Sequence, residues 1–296
     1  MLETKLMLEE ERDFGEKLNS TFTFIAQNFR ALFGAVFYIS APAIILSSTA
    51  FATIFASYMR TVTGMVNNAN MTNDPFWMFN DQMIGIMVIV GLLFYIAYQL
   101  IPMVVVVYMK LYNQQMTTTI TTTMVWNEMR KFILPILFFQ LILLVITIIG
   151  FAFLIIPGIY LSGVFMLFNA IYINEELGFA SSVKRCFELI KDKWLSTFGL
   201  FIVSSIIVSL VSSIIGVPVM MLSLASTFLQ WDVEKMVTIN MIGTTVNMLF
   251  RLILLIIPGV AMCLQYYNLK ERQDGDGIKK LMSQIGTRQQ INEGEY

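Results

Sequence analysis

Long stretches of this 296-residue chain carry no charged side chain, and the polar positions collect between them. Four windows lack Asp, Glu, Lys and Arg: residues 31–59, 82–109, 132–174 and 194–231. About 20 apolar residues in a helix cross the hydrocarbon core of a bilayer. The first two windows therefore predict one span each, the third predicts two, and the fourth predicts one span with an outer loop. A sixth span is predicted within residues 236–269, where Arg251 interrupts the apolar sequence.

The pattern predicts an all-α polytopic membrane protein with six transmembrane helices arranged as three hairpins. Amphipathic interfacial helices are expected on the cytoplasmic side. Residues 1–30 are predicted to form a cytoplasmic amphipathic segment, 179–194 an interfacial helix and 270–296 a cytoplasmic polar tail. The predicted spans lie near residues 31–58, 83–109, 133–155, 158–174, 195–222 and 237–269. Pro157-Gly158 divides the third window and is predicted to make the outer turn between spans 3 and 4.

The basic residues predict the orientation. With six spans, sixteen of the 19 Lys and Arg residues fall on one side, while Arg60 and Lys235 fall on the other. Basic residues near span ends are retained in the cytoplasm. Both termini are therefore predicted to be cytoplasmic. The acidic N-terminal sequence has no apolar core of a signal peptide, so no removable signal is expected.

The segment before each odd-numbered span ends in basic and aromatic residues. Before span 5, apolar residues recur at helical spacing on one face: Phe179, Val183, Phe187, Ile190 and Trp194. Before span 1 the same spacing joins Phe14, Leu18, Phe22, Ile25, Phe29 and Leu32. An amphipathic helix with a basic polar face lies in the headgroup layer of a membrane. We interpret the chain as three units, each an approach segment followed by a helical hairpin.

The polar face of the approach to span 5 is the predicted contact surface. It could bind anionic lipid headgroups, and a protein partner is an equal alternative. The residues of this candidate site are Lys184, Arg185, Lys191, Lys193 and Trp194. The acidic end of span 4, Glu175-Glu176, is either a solvated helix end or forms an electrostatic clasp with Lys184 or Arg185. Glu188 is predicted to pair with Lys184 or Lys191 at helical spacing.

A second candidate is an intramembrane polar site formed by Arg251, Gln99 and Gln265. An ionisable side chain within a span is costly and often functional. The alternative is that Arg251 lies near a helix end and extends its guanidinium to the interface. For Gln99 and Gln265 we favour hydrogen bonding between helices over a substrate site.

The composition argues against familiar catalytic chemistry. The chain has no histidine, which excludes His-based acid–base catalysis and histidine-ligated metals. Its two cysteines do not suggest a disulfide framework. The 21 methionines, including Met65, Met71, Met78 and Met83, suggest copper less than apolar packing. We predict no enzyme activity, no cofactor, no metal and no nucleic-acid partner.

Residues 155–199 resemble a family of uncharacterised bacterial polytopic inner-membrane proteins. The family is related to the membrane domain fused to some glycerophosphoryl diester phosphodiesterases. The matching residues are Pro157 to Tyr160, Glu175 or Glu176, Lys184-Arg185 followed by Cys186 in place of a serine, Trp194, and Phe198-Gly199. The opening ERDFGEKLNSTF is similar to members from Bacteroidota. The resemblance implies the fold and a bacterial inner membrane, but no activity, because the phosphodiesterase chemistry belongs to a separate domain.

Two functions remain open. The first is a non-enzymatic scaffold or subunit of a membrane complex, contacting lipids and protein partners at its cytoplasmic face. The second is a permease or lipid-handling protein with a path between the hairpins. No Asp or Glu lies inside a predicted span, and coupled transporters usually need such a carboxylate. This favours the scaffold.

Overall fold

The computed structural model describes residues 5–67, 81–114, 119–229 and 231–275, and within them the secondary structure is helical. Six helical segments are long and apolar enough to cross a membrane: Phe14–Ile54, Ile84–Gln114, Ile133–Phe153, Ile155–Glu175, Trp194–Leu222 and Glu234–Asp274. The predicted all-α class with six membrane-spanning segments is confirmed.

The described residues form ten helices. In chain order they are α1 (Phe14–Asn67), α2 (Asp81–Gln114), α3 (Thr122–Met129), α4 (Ile133–Phe153), α5 (Ile155–Phe165), α6 (Phe168–Glu175), α7 (Phe179–Ile190), α8 (Trp194–Phe228), α9 (Val233–Leu254) and α10 (Ile256–Asp274). The predicted interfacial helix corresponds to α7, and α8 begins at the tryptophan. The approach to span 1 and span 1 itself are one continuous helix, α1. The fourth span is divided into α5 and α6, and the sixth into α9 and α10.

The turn between α4 and α5 lies at Leu154 and not at Pro157-Gly158, so that prediction was wrong. Leu154 has an extended backbone (φ −158°, ψ 143°) and precedes the first residue of α5. Pro157 fits the first turn of α5. Backbone N–H groups in the first turn have no acceptor within the helix, so a proline there removes no helical hydrogen bond. The two helices pack closely, because a Cβ atom added at Gly150 would lie 3.3 Å from the Cα atom of Gly158.

One sequence feature recurs at two helix starts. Both α5 and α10 begin with Ile-Ile-Pro-Gly, and each follows a single non-helical residue, Leu154 or Leu255. Within α2, Leu100-Ile101-Pro102 is a partial copy. The three copies fall in the even-numbered spans, which is consistent with the interpretation of three units.

The helices divide between two compact units. Unit 1 comprises residues 1–34, 103–204 and 257–296, and unit 2 comprises residues 35–102 and 205–256. In unit 1 three stretches are almost continuously buried: 103–110 in α2, 163–173 in α5 and α6, and 258–269 in α10. A helix buried on all sides lies in the centre of its fold. Unit 1 is therefore organised around these three stretches.

Unit 2 contains the remaining parts of α1, α2 and α8, together with α9. Glycines allow close helix packing there, as is usual in membrane bundles. A Cβ atom at Gly216 would lie 2.8 Å from the Asn247 amide nitrogen, and one at Gly243 would overlap the Val219 side chain. The Asn247 amide donates to the Ser212 carbonyl at 3.4 Å.

Candidate functional site

Charged side chains collect where the central helices of unit 1 end. We call this cluster the polar network; it consists of Lys110 (α2), Glu128 (α3), Glu175 and Glu176 (end of α6), Arg185 (α7) and Asp274 (α10). The ion pairs divide into a group around Lys110 and a group around Arg185.

Lys110 joins three parts of the chain. Its Nζ lies 3.1 Å from Glu128 Oε1 and 2.5 Å from Glu176 Oε1, and it stands 5.2 Å above the centre of the Phe132 ring. Lys131 adds a second cation 2.6 Å from Glu128 Oε2. The Lys110 side chain is only 6% exposed. A buried ammonium needs such partners, since an uncompensated buried charge is strongly destabilising.

Arg185 joins α7 to α6 and α10. Its Nε lies 3.2 Å from Glu175 Oε2, and its Nη2 pairs with Asp274. The predicted pairing between the acidic end of span 4 and the following helix is thus confirmed for Glu175 and Arg185. Glu176 pairs with Lys110 instead. Glu188 pairs with Lys184 at 3.6 Å, as helical spacing predicted.

Neutral side chains continue the same connections. The Tyr266 hydroxyl hydrogen-bonds Glu175 Oε1 at 3.2 Å, and the Tyr267 hydroxyl hydrogen-bonds Asn174 Oδ1 at 2.7 Å. Both tyrosines are in α10 and are buried. The end of α6 is therefore held to α10 by two hydrogen bonds in addition to the Arg185 bridge.

The residues before α1 complete the connection between α10 and α2. We call residues 5–13 the strap. Asn268 Nδ2 in α10 donates to the Arg12 carbonyl at 3.2 Å, and Asn113 Nδ2 in α2 donates to Glu9 Oε1 at 3.0 Å. Lys5 Nζ donates to the Tyr112 carbonyl at 2.5 Å. Polar contacts thus run from α2 through α6 and α10 to the strap, and back to α2.

Lys17 forms a separate buried cluster. Only 4% of this residue is exposed, and its Nζ donates to Gln265 Oε1 at 2.8 Å and Ser196 Oγ at 3.3 Å. Gln265 Nε2 in turn donates to Thr197 Oγ1 at 2.8 Å. Lys17, Ser20 and Thr21 of α1 are therefore buried, whereas the apolar Phe22 and Phe29 of the same helix are 42% and 54% exposed.

The five residues of the predicted contact surface differ in their exposure. Lys184 has a 79% exposed side chain, and Lys191 is exposed. Arg185 points into the polar network, with its side chain 16% exposed. The other two predicted residues, Lys193 and Trp194, are half-buried.

Trp194 is fixed by contacts with α5. Its Nε1 donates to the Tyr160 carbonyl at 3.0 Å, and its ring stacks on Phe198 with centroids 4.9 Å apart. A Cβ atom at Gly163 would lie 2.5 Å from the indole nitrogen. Trp194 thus occupies a notch that the glycine leaves open.

The structure places the three residues of the predicted intramembrane site differently. Arg251 in α9 is exposed. Gln99 in α2 is 9% exposed and hydrogen-bonds the Tyr95 side chain. Gln265 belongs to the Lys17 cluster. Arg251 and Gln99 are in unit 2 and Gln265 is in unit 1.

The charges shift the pKa values of groups between the spans. The hydrogen bond from Lys131 lowers the pKa of Glu128, with Lys110 adding to the effect against partial burial. Burial lowers the pKa of the Arg185 guanidinium, but Glu175 and Asp274 outweigh it, so the net shift is upward. Burial, reinforced by Glu175, raises the pKa of the Cys186 thiol to about 12. The pKa shifts of Glu128 and Arg185 therefore both favour the charged forms of these two side chains.

The described ranges contain no group of three Asp, Glu or Cys side chains arranged to hold a metal ion. Cys186 and Cys263 are both buried and unpaired by a disulfide. Met71 and Met78 lie outside the described residues, and the side chains of Met65 and Met83 do too.

Fold and composition together define a multi-pass α-helical membrane protein. Comparisons with protein-family models, curated proteins and solved structures found no match to this chain. The resemblance of residues 155–199 to the phosphodiesterase-associated membrane proteins therefore stays a prediction.

Sequence reasoning missed the Lys17 cluster and the strap. Lys17 lies on the polar side of an amphipathic pattern, which indicates a solvated lysine. One signal was available: a buried lysine needs oxygen partners, and Gln265 offers one inside an apolar stretch. The strap carried no signal in periodicity, because its contacts join residues more than 100 positions apart.

Proposed function

We propose that this protein is a non-enzymatic scaffold or subunit of a complex in a bacterial inner membrane, with both termini cytoplasmic. The observation that carries the proposal is the polar network with the strap. It joins the ends of α2, α6 and α10 to one another, and its charged side chains form ion pairs that hold these helices together. This end of unit 1 is held together by these contacts and exposes Lys184 in α7 and Lys191 directly after it, which suits a docking surface.

The placement of the chain ends supports the proposed orientation. Asn268 near the end of α10 contacts the backbone of Arg12 in the strap. The segments that lead to the two termini therefore lie at the same end of unit 1. The excess of basic residues in the predicted cytoplasmic segments supports a cytoplasmic location for that end.

The exposed part of α7 is the proposed contact surface. Lys184 and Lys191 would meet anionic headgroups or an acidic partner surface, while Arg185 fixes the helix from behind. Membrane attraction of about 1 kcal/mol per basic residue near the surface is typical. Lipid contact would therefore orient the surface, and a protein partner would supply specificity.

The alternative is a permease or lipid-handling protein with a path between the hairpins. A cavity lined by Arg251, Gln99 and Gln265 would favour it. Gln265 is instead bonded to Lys17 and Thr197, and Arg251 is exposed. The geometry gives this alternative less support than the scaffold.

Purification in mild detergent from the native host, followed by mass spectrometry of bound proteins and lipids, tests the proposal. We expect a stoichiometric protein partner that is lost in the Lys184→Glu/Lys191→Glu double variant. A matched control is Lys235→Glu, which changes an exposed lysine predicted on the opposite side. Flux of a solute or lipid in reconstituted vesicles without any partner would overturn the scaffold function.

A further inference from the structure

We propose that the hairpin of α4 and α5 enters only one leaflet of the bilayer and returns to the side on which α7 lies, with its apolar tip among the acyl chains of that leaflet. The tip is the turn at residues 153–156. All six segments have the length and apolar composition of a span, but the depth that a helix reaches also depends on what it packs against. The inference goes beyond the proposed function and does not depend on it.

The start of α8 marks one surface of the membrane. The three residues before Trp194 are charged: Lys191, Asp192 and Lys193. Lys191 and Asp192 are also exposed. A charged side chain is costly inside the hydrocarbon core. The turn between α7 and α8 is therefore in the headgroup layer or in water.

Trp194 holds α5 close to this surface. Its Nε1 donates to the Tyr160 carbonyl at 3.0 Å, and the rings of the two residues stack with centroids 6.0 Å apart. Leu154 is six positions before Tyr160, which is about 9 Å along a helix. The hydrocarbon core is about 30 Å thick. Even with the length of the indole side chain added, Leu154 stays well short of the opposite surface.

Contacts with α7 give the same limit independently. The ring centroid of Phe187 in α7 lies 6.1 Å from that of Phe165 and 6.3 Å from that of Tyr160. Three positions before Phe187, the Lys184 side chain is 79% exposed. An amphipathic helix with exposed lysines lies in the headgroup layer. Because both Phe165 and Tyr160 contact such a helix, α5 runs near the membrane surface and does not cross upright.

The tip of the hairpin suits hydrocarbon better than water. Four consecutive apolar residues are each at least 67% exposed: Phe153, Leu154, Ile155 and Ile156. The Leu154 amide donates to the Gly150 carbonyl at 3.1 Å, and the Leu154 carbonyl accepts from the Gly158 amide at 3.4 Å. Backbone polar groups in lipid need partners within the protein. The turn supplies both partners for Leu154, its extended residue.

Acyl chains fit the exposed surface of the hairpin better than a partner helix does. Helix contacts in membranes favour small residues, and Gly150 and Gly158 already face each other between α4 and α5. The exposed positions that lead to the tip are large and apolar: Leu144, Val145, Ile148 and Ile149. No charged residue occurs in residues 132–174. The tip therefore continues an uncharged, lipid-facing surface of α4.

Leaflet-selective fluorescence quenching tests the proposal on the full chain. A fluorescent probe is attached to Ile156→Cys at the tip, or to Ile202→Cys or Ile214→Cys in α8. The three replaced side chains are exposed, whereas Cys186 and Cys263 are buried. The two control positions are about 12 Å and about 30 Å from Trp194 along α8, so they mark the near and the far leaflet.

Native-membrane vesicles of both orientations receive a nitroxide lipid in the outer leaflet only. Labelling of Lys184→Cys with an impermeant maleimide identifies the α7 side in each preparation. Nitroxide lipid in the leaflet on that side should quench the Ile156 and Ile202 probes and spare the Ile214 probe. Nitroxide lipid in the opposite leaflet should quench only the Ile214 probe. Ile155→Cys, a second exposed tip position, should repeat the result for Ile156.

Two results would overturn the proposal. Tip probes that follow the Ile214 probe would show that the hairpin crosses the bilayer. Tip probes that are quenched from neither leaflet would show that a partner protein or a second copy of the chain covers the tip.

Discussion

Arg185 and Glu175 form an ion pair between α7 and the end of α6, with Nε of the arginine 3.2 Å from Oε2 of the glutamate. The two side chains are 16% and 14% exposed. The pair therefore fixes the middle of α7 against the end of α6, with Arg185 turned inward and Lys184 exposed.

Arg185→Met should lower the free energy of unfolding by about 2–3 kcal/mol, because Glu175 and Asp274 lose their shared cation in a mostly buried site. Lys184→Met is the control, and its effect should stay within about 0.5 kcal/mol because its side chain is exposed. Denaturant unfolding in detergent measures both. Equal effects of the two substitutions would contradict the assigned role of Arg185.

Gly163→Ala should destabilise the protein by about 1–3 kcal/mol, because the added Cβ would press against the Trp194 indole. Gly91→Ala is the control: nothing lies within 4 Å of a Cβ at Gly91, and alanine in a helix is favoured over glycine by up to about 1 kcal/mol. Thermal unfolding and intrinsic tryptophan fluorescence follow the change. Combining Gly163→Ala with Trp194→Phe should restore part of the stability; no restoration would show that the indole is not the obstacle.

Lys17→Met should cost about 1–3 kcal/mol, because the buried Gln265 oxygen loses its charged donor. Gln265→Met should cost at least as much, since it leaves the ammonium with one neutral oxygen partner among the contacts seen. The double variant should be more stable than the sum of the single effects predicts, because both polar groups are removed together. A double-mutant cycle measures this coupling, and additive effects would rule it out.

The stability provided by Glu128 should depend on pH. Its pKa is lowered in the folded protein, first by the hydrogen bond from Lys131. The contribution is therefore fully present above the unfolded value of about 4.3, and it is lost as the pH falls through the lowered folded value. The difference in unfolding temperature between wild type and Glu128→Gln should be clear at neutral pH and small in strong acid. The exposed Glu11 serves as control, and a difference that is independent of pH would contradict the pairing.

Local patterns determined the spans well. Charge-free windows of the right length predicted five of the six segments, and the apolar stretch around Arg251 predicted the sixth, because a bilayer admits few other structures. Helical spacing also predicted the pairing of Glu188 with Lys184, and the nearness of the acidic end of span 4 to the next helix indicated the contact that Glu175 makes with Arg185. The predicted position of the turn between spans 3 and 4, at Pro157-Gly158, was wrong. A proline is accepted in the first turn of a helix, and the helix break lies three residues earlier, at Leu154.

The sequence by itself determined the class of protein, the spans and the near-neighbour ion pairs, since these depend on local hydrophobicity and spacing. The tertiary structure decided which faces pack together. It buried Lys17 of α1, because Gln265 supplies an oxygen for its ammonium group from a segment 248 residues away. It also placed the strap between α2 and α10. Such contacts depend on the packing of distant helices, and no local pattern records which distant side chain satisfies a buried charge.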